Sequence, residues 1–191
     1  MSNAARAPWD QRTVAQIASE VRRLRNAEGI SAQALADRIS EMGPGISRSV
    51  VADIENGRRN FVTITELMLL ARALNTAPIL LVYPGPYRDK TEFLPGAMAT
   101  QMWALKWFSA GLVGWGEESV SDDSVSHERD TYQTNVRRFR KAEAIWELEE
   151  KLAYAKKLIR HAAPGDEAAI KALEESVELA ATIRELDTHG G

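Results

Sequence analysis

The segment from Ile46 to Asn60, with the sequence ISRSVVADIENGRRN, constrains the fold of this chain more than any other. Its sequence contains a capping residue for each end of a helix. Ser47 occupies an N-cap position, where its hydroxyl can accept a hydrogen bond from a free backbone N–H, and Gly57 occupies the position of a left-handed C-terminal cap. Three residues between the caps have the spacing of one apolar helix face: Val50, Val51 and Ile54. The pattern predicts a short helix that buries this face.

A second short helix precedes this segment. Ser31 caps the stretch AQALADRISEM, which carries three inward-facing apolar residues: Leu35, Ala36 and Ile39. The link Gly43-Pro44-Gly45 must turn the chain, because proline lacks a backbone N–H and its ring clashes with a preceding helical turn. Two capped helices joined by a turn form the helix-turn-helix arrangement.

Residues 13–82 resemble the helix-turn-helix domain of the XRE family, the Cro and phage-repressor type, through the pattern SAQALADRI followed by ISRSVVADIENGRR. The resemblance implies a bundle of five short helices that binds double-stranded DNA. The polar and basic face of the helix over residues 47–56 would then lie in the major groove, which admits an α-helix. The link from Glu41 to Ile46 is longer than the tight turn of the phage repressors.

Two sets of residues are expected to contact DNA. The candidates for base contacts are Arg48, Ser49 and Asp53, since the first turn of a recognition helix points toward base edges and arginine binds guanine through two hydrogen bonds. Asp53 could accept from a cytosine amino group or could instead bond a nearby arginine. The candidates for contacts to the DNA backbone, which position the protein without reading sequence, are Gln33, Ser47, Asn56, Arg58, Arg59 and Asn60.

Arg25 and Glu55 have a different expected role. The family pairs an arginine of the first helix with the glutamate that precedes the cap of the recognition helix, and both residue types stand at the matching positions here. The resemblance therefore implies a structural salt bridge. Truncating one partner would strand the charge of the other, so a loss of folding is expected from either change.

Composition sets wider limits on function. The chain has no cysteine, which excludes disulfides, thiolate zinc sites and cysteine nucleophiles. Its three histidines are isolated, and neither a Gly-rich phosphate loop nor a GxSxG motif occurs, so we expect no catalytic residues, no metal site and no cofactor. There is no run of about 18 apolar residues and no apolar signal core, which favours a cytoplasmic protein that is associated with the nucleoid through DNA and has no membrane contact.

The charge is unevenly distributed along the chain. The net charge is −3, but residues 1–85 carry 10 Lys and Arg against 8 Asp and Glu, whereas residues 86–191 carry 14 against 19. Acidic residues are therefore concentrated outside the segment expected to bind DNA. Local charge, rather than the total, governs phosphate contact.

The sequence predicts an all-α protein in four parts. Residues 1–12 form a flexible arm, 13–84 the DNA-binding domain, 85–130 an aromatic helix with an acidic linker, and 131–191 an antiparallel helical hairpin. The aromatic helix is expected over 98–110, opened by Pro95-Gly96. Its aromatic residues Trp103, Trp107 and Phe108 would serve as core or as a partner-binding face or, less simply, as a ligand pocket. The hairpin seam is predicted from the three- and four-residue spacing of Ile145, Leu148, Leu152, Ala155, Ile159 and Ala162 in its first helix and of Ile170, Leu173, Val177, Ala180 and Ile183 in its second.

These features favour a sequence-specific transcriptional regulator, most simply a repressor of the chromosomal, actinobacterial type or of the temperate-phage immunity type. The hairpin would join two copies as a homodimer on operator DNA. The alternative is an antitoxin or another protein-interaction regulator whose C-terminal region binds a protein partner. A third reading makes the C-terminal region a second DNA-contacting unit, through the basic cluster Arg137, Arg138, Arg140 and Lys141, although such runs are more often a solvated helix surface.

Overall fold

The computed structural model describes residues 7–43, 45–111, 123–163 and 166–188, and within them it contains eight helices and one two-stranded antiparallel sheet. The chain divides into two compact units, Met1–Leu112 and Val113–Gly191. The elements of the first unit are α1 (Trp9–Ala27), α2 (Ala32–Ser40), α3 (Arg48–Glu55), α4 (Ile64–Ala73), α5 (Pro78–Val82), β1 (Lys90–Leu94), β2 (Ala97–Thr100) and α6 (Gln101–Phe108). The elements of the second unit are α7 (Asp123–His161) and α8 (Glu167–Thr188).

Helices α1 to α5 surround one apolar core, and serine and threonine caps set where three of them begin. The hydroxyls of Ser31 and Ser47 accept hydrogen bonds from the third residue of α2 and of α3, at 3.1 and 3.4 Å. Thr63 opens α4 with a complete capping box. The largest side chains that lie fully inside are Leu35, Ile39, Ile54, Leu70, Leu81, Val21 and Val51. The five-helix bundle with its helix-turn-helix pair is therefore present, and α3 lies on the bundle with an apolar inner face.

The prediction of an all-α fold is wrong for residues 90–100. These residues form a β-hairpin in which Lys90 pairs with Thr100 and Glu92 with Met98. Pro95-Gly96 makes the turn of this hairpin and does not open a helix. Gly96 has a φ of 78°, which suits the third position of a tight turn after proline. The aromatic helix α6 consequently starts at Gln101, capped by Thr100.

The hairpin and α6 belong to the same unit as the helical bundle. Phe93 is buried and packs edge-on against Trp103 and Trp107, with ring centroids 4.8 and 5.4 Å apart. The buried side chain of Gln101 bonds both the N–H and the carbonyl of Gly85, at 2.7 and 3.2 Å. The aromatic residues of α6 therefore complete the core, and the boundary predicted after residue 84 does not separate them from it.

The N-terminal arm is shorter than predicted, because α1 begins at Trp9. The indole N–H of Trp9 donates to the carbonyl of Glu92 at 2.9 Å, and Arg12 forms an ion pair with the Glu92 carboxylate. These contacts order residues that the sequence alone gave no reason to order, since their partners lie some 80 positions away. Residues 1–6 lie outside the described part of the chain.

The second unit is the predicted antiparallel hairpin with two corrections. Residues 123–130, assigned to the acidic linker, are the first two turns of α7, and residues 112–122 lie outside the described ranges. The seam of α8 is also wrong in part: Ile170, Leu173 and Val177 are 55, 54 and 66 % exposed, whereas Ala172 is buried. Asp166 accepts from the backbone N–H of Ala168 at 2.9 Å and so caps α8.

Candidate nucleic-acid interface

Helix α3 is held on the bundle by its inner face and presents its first turn outward. Val51 and Ile54 are fully buried, while Arg48 and Ser49 are exposed. The Ser49 hydroxyl lies 2.8 Å from the hydroxyl of the capping Ser47. Two of the three predicted base-contacting side chains therefore stand together at the N-terminal end of this helix.

Arg48 is the exposed cation of this first turn. Its guanidinium makes no ion pair with any residue in the described part of the chain. A free, always charged guanidinium presents a planar fork of donors that matches the two acceptors of a guanine edge. Arg48 thus has both the position and the chemistry required of a base-reading residue.

Asp53, the third candidate for a base contact, already has a partner within the protein. Its carboxylate lies 3.4 Å from the guanidinium of Arg58, and both side chains are more than a third exposed. An exposed pair of this kind contributes little to stability and is easily exchanged for another partner. It also moderates the repulsion that a lone carboxylate would exert on DNA phosphates.

Arg58 and Arg59, although adjacent in sequence, lie in different environments. Arg58 is largely exposed, whereas Arg59 is 20 % exposed, bonds the Glu66 carboxylate at 2.5 Å and lies over the Phe61 ring at 4.4 Å. Because the Arg58 guanidinium is exposed, it can contact a phosphate in addition to Asp53. Arg59 instead fixes the loop before α4, so any phosphate contact that it makes must come from a guanidinium already held in place.

Three of the other backbone-contact candidates have intramolecular partners, and one of them is Ser47, whose hydroxyl caps α3. Gln33 donates to Asp37 at 2.7 Å, and the Asn56 side chain accepts from Arg22 at 3.2 Å. Arg22 also donates to the backbone carbonyl of Glu55. Asn60 is exposed. Arg22 is a half-exposed cation beside the end of α3, and the sequence did not identify it as a site residue. Its position three residues before Arg25 on α1 is the pattern that could have indicated a place near α3.

Arg25 and Glu55 form a close, two-pronged ion pair between α1 and the end of α3. The Arg25 Nε and Nη2 atoms donate to the two Glu55 carboxylate oxygens at 2.6 and 2.7 Å, and Nη1 donates to the carbonyl of Ile30 at 2.8 Å. The two side chains are 15 and 6 % exposed. Donation of these hydrogen bonds to the Glu55 carboxylate raises the pKa of Arg25, although partial burial of the guanidinium acts in the opposite direction. The pair fixes the C-terminal end of α3 to the bundle.

Glu66, in the first turn of α4, holds the loop that follows α3. Burial alone would raise the pKa of Glu66, but the hydrogen bond from the Thr63 backbone N–H and the bonds from Arg59 and the Thr63 hydroxyl together hold it below its ordinary value of 4.5. A carboxylate with a lowered pKa in the folded state stabilises that state above the unfolded pKa. This contribution is lost as the pH falls from about 4.5 through the folded pKa.

Replacing Glu66 with glutamine should therefore flatten the acid limb of the stability profile. At pH 7 the variant should lose about 1–2 kcal/mol, because the cap and the charged bond to Arg59 are both weakened. Below pH 4 the difference from wild type should narrow. Urea unfolding at pH 7 and at pH 3.5 measures both values, with Glu41→Gln, an exposed carboxylate beside α2, as the control. A difference that is the same at both pH values would contradict the assigned role of the carboxylate charge.

No helix in the described residues is both long enough and apolar enough to cross a membrane. In the same residues, no three His, Asp or Glu side chains are grouped so that they could hold a metal ion.

Residues 16–81 match the family model described as a helix-turn-helix domain. The matched segment runs from α1 to α5 and makes up about a third of the chain. This segment is a helix-turn-helix domain, and a domain of this kind suggests a DNA-binding regulator. No curated protein and no solved structure shows significant similarity to the chain.

Proposed function

We propose that this protein is a sequence-specific transcriptional repressor that reads the major groove of its operator with α3. Arg48 and Ser49 would contact base edges, and Arg58 and Asn60 would contact phosphates. The match of residues 16–81 to a helix-turn-helix domain supports DNA binding. The proposal assigns the protein no catalytic residue and no cofactor.

The exposed first turn of α3 is the observation that carries this proposal. Recognition helices contact base edges with residues near their N-terminal end. Arg48 is exposed at this end of α3 and has no ion-pair partner among the residues that the structure describes. The opposite end of the helix is fixed by the pair between Arg25 and Glu55. A rigidly held helix with a free cationic end can insert into a groove without first reorganising, which favours affinity and specificity.

A repressor of this kind binds as a dimer. Two copies joined by their C-terminal units would present two α3 helices to half-sites about one helical turn apart, on a pseudo-palindromic operator. Occupancy of such an operator would block transcription from an overlapping promoter. The site of action would then be the nucleoid.

Binding to DNA that flanks the protein's own gene, compared with a scrambled sequence at two salt concentrations, tests the proposal. Wild type should prefer the flanking DNA. Arg58→Ala should weaken binding to both sequences about equally and reduce the slope of log K against log salt by about one, since one phosphate contact is lost. Arg72→Ala, at an exposed arginine of α4, should change neither the affinity for the two DNAs nor the salt slope. A wild-type protein that does not distinguish the two sequences would refute the choice of operator, and binding to no DNA in a random pool would refute the function.

A protein-interaction regulator, such as an antitoxin, is the second candidate. Large apolar side chains exposed on the second unit favour it, because exposed apolar surface marks interaction sites. Seven such side chains are Phe139, Trp146, Tyr154, Leu158, Ile170, Leu173 and Val177. Capture of a partner encoded by the neighbouring gene, together with an absence of operator binding by the protein alone, would favour this candidate over the repressor.

A further inference from the structure

Helix α8 carries two apolar stripes, of which only one faces α7. The inner stripe is buried or half-buried and consists of Ala172, Ser176, Leu179, Ile183 and Leu186. The outer stripe is exposed, and its large members are Ile170, Leu173 and Val177. Both stripes follow three- and four-residue steps, so both have the spacing of a packed helix face. A helix with two apolar faces has the pattern of one packed between two neighbours, and the second unit supplies one neighbour, α7.

The outer stripe lies on the same side of the hairpin as two charged residues of α7. At roughly 100° per residue, Leu173 and Val177 point to one side of the α8 seam, and Glu149 and Lys156 point to the corresponding side of the α7 seam. All four side chains are exposed. Glu149 and Lys156 make no ion pair with any residue in the described ranges of the chain. The face therefore combines an unpartnered apolar stripe with charges of both signs, among them those of Glu149 and Lys156.

These two pairs of residues are centred at the same height along the hairpin. Ala155 and Ala172 are the buried residues of the seam and lie six and five residues from the ends of α7 and α8 that the connection joins. Residues at equal distances from the connection face each other in an antiparallel pair. The midpoint of Leu173 and Val177 on α8 therefore lies level with the midpoint of Glu149 and Lys156 on α7.

We propose that this face is the homodimer interface, and that its occupant is the same face of a second copy of the chain. An isologous interface must be complementary to itself under a two-fold axis. An axis at the shared midpoint places Leu173 against Val177 of the second copy and Glu149 against Lys156 of the second copy at the same time. Both contacts occur twice, so the outer stripes are covered and four charges are paired in one arrangement, an antiparallel four-helix bundle.

This inference rests on the proposed function, because the proposed repressor requires a dimer and this face would form it. The interface would also account for the second apolar stripe of α8. A two-helix hairpin buries only one face of each helix and is marginal in water on its own. A second copy is the partner that is always present, and the charge pattern already matches it. The opposite side of the hairpin, lined by Tyr154, Leu158 and Thr182, is the competing surface for the same role.

Multi-angle light scattering of the full-length protein tests the choice of surface. Wild type should have twice the monomer mass at micromolar concentration. Val177→Glu should weaken the dimer by roughly a hundredfold or more, because each copy would bring an unpaired carboxylate into an apolar contact. Thr182→Glu adds the same charge to an exposed position on the other side of α8 and should leave the dimer intact. A monomeric wild type, or a dimer disrupted by Thr182→Glu and not by Val177→Glu, would overturn the proposal.

A charge exchange tests the register of the two copies. Glu149→Lys and Lys156→Glu should each weaken the dimer, because each change sets like charges against each other. A mixture of the two variants should dimerise again, since every cross-copy contact then joins a lysine to a glutamate. A role within one copy would give no such recovery, so a mixture that stays monomeric would refute the register. Circular dichroism checks that each variant keeps its helix content.

These outcomes are separable from failure of the repressor function. Light scattering involves no DNA, so a dimer that binds no operator would refute the repressor and leave the interface in place. A monomer that binds an operator half-site would refute the interface and leave sequence-specific DNA binding in place.

Discussion

Replacing Arg48 with alanine should remove about 1–3 kcal/mol of the protein's preference for its operator over scrambled DNA, which is the value of one good bidentate base contact. The stability of the domain should stay close to that of wild type, because the Arg48 side chain is exposed and has no ion-pair partner in the described residues. Binding to the operator should lose most of this free energy. Binding to scrambled DNA should be weakened only by the loss of one positive charge. Binding isotherms on both DNAs, at two salt concentrations, measure the two effects separately.

The matched control for this experiment is Arg72→Ala, which removes the same side chain from an exposed position on α4. It should bind operator and scrambled DNA as wild type does. Arg48→Lys adds a second comparison, because lysine keeps the charge and loses the planar fork of donors. If Arg48→Lys binds the operator as tightly as wild type, Arg48 acts as a phosphate contact, and the assignment of base reading to this residue is wrong.

Local signals were sufficient to predict the helix-turn-helix pair. Serine and threonine caps, glycine stops and apolar spacing act within a few residues, and they placed the N-caps of α2 and α3 correctly at Ser31 and Ser47. The β-hairpin was missed because Pro95-Gly96 suits both a turn and the start of a helix. What decides for the turn is a distant contact, the burial of Phe93 against Trp103 and Trp107, and its partners follow ten or more residues later in the sequence.

The seam of α8 shows a different limit of sequence analysis. Two stripes on this helix satisfy the same spacing rule, and the seam predicted from the sequence follows the one that contains Ile170, Leu173 and Val177. The structure places the smaller residues Ala172 and Ser176 there, opposite an α7 face that includes the buried Ala155. Small residues let the two helices approach closely, and the larger residues remain exposed. Spacing alone cannot rank two such faces, since it carries no information on how many neighbours a helix has.

The environments of the candidate site residues could be predicted only in part. Position in α3 was enough to place Arg48 outward, because the apolar face fixes the direction of every other side chain on a short helix. Position could not show that Arg59 is held by Glu66 and Phe61 or that Arg22 reaches Asn56. These contacts depend on how a loop folds over α4 and on how α1 crosses α3.

Replacing Arg25 with alanine should cost the domain about 3–5 kcal/mol, because the nearly inaccessible Glu55 carboxylate loses its two-pronged partner and keeps only the longer contact to Arg22, at 3.9 Å. A domain of this size is stabilised by roughly 5–15 kcal/mol, so the variant should lose a large share of its stability. The melting temperature should fall by at least about 12 °C, at some 4 °C or more per kcal/mol. Thermal unfolding followed by circular dichroism measures the shift. Arg58→Ala, which removes a largely exposed partner of Asp53, should cost less than about 1 kcal/mol.

The double variant Arg25→Met/Glu55→Leu separates the two parts of this effect. A buried ion pair replaced by apolar side chains of similar size is often close to neutral in stability, since the cost of removing both charges from water disappears with them. The double variant should therefore be more stable than Arg25→Ala, even though it lacks the whole pair. Glu55 would then add little net stability to the wild type. Its role would be to hold the end of α3 against α1 through its bonds to Arg25. If Arg25→Ala melts as wild type does, the pair has no structural role, and Arg25 becomes a candidate for direct contact with DNA.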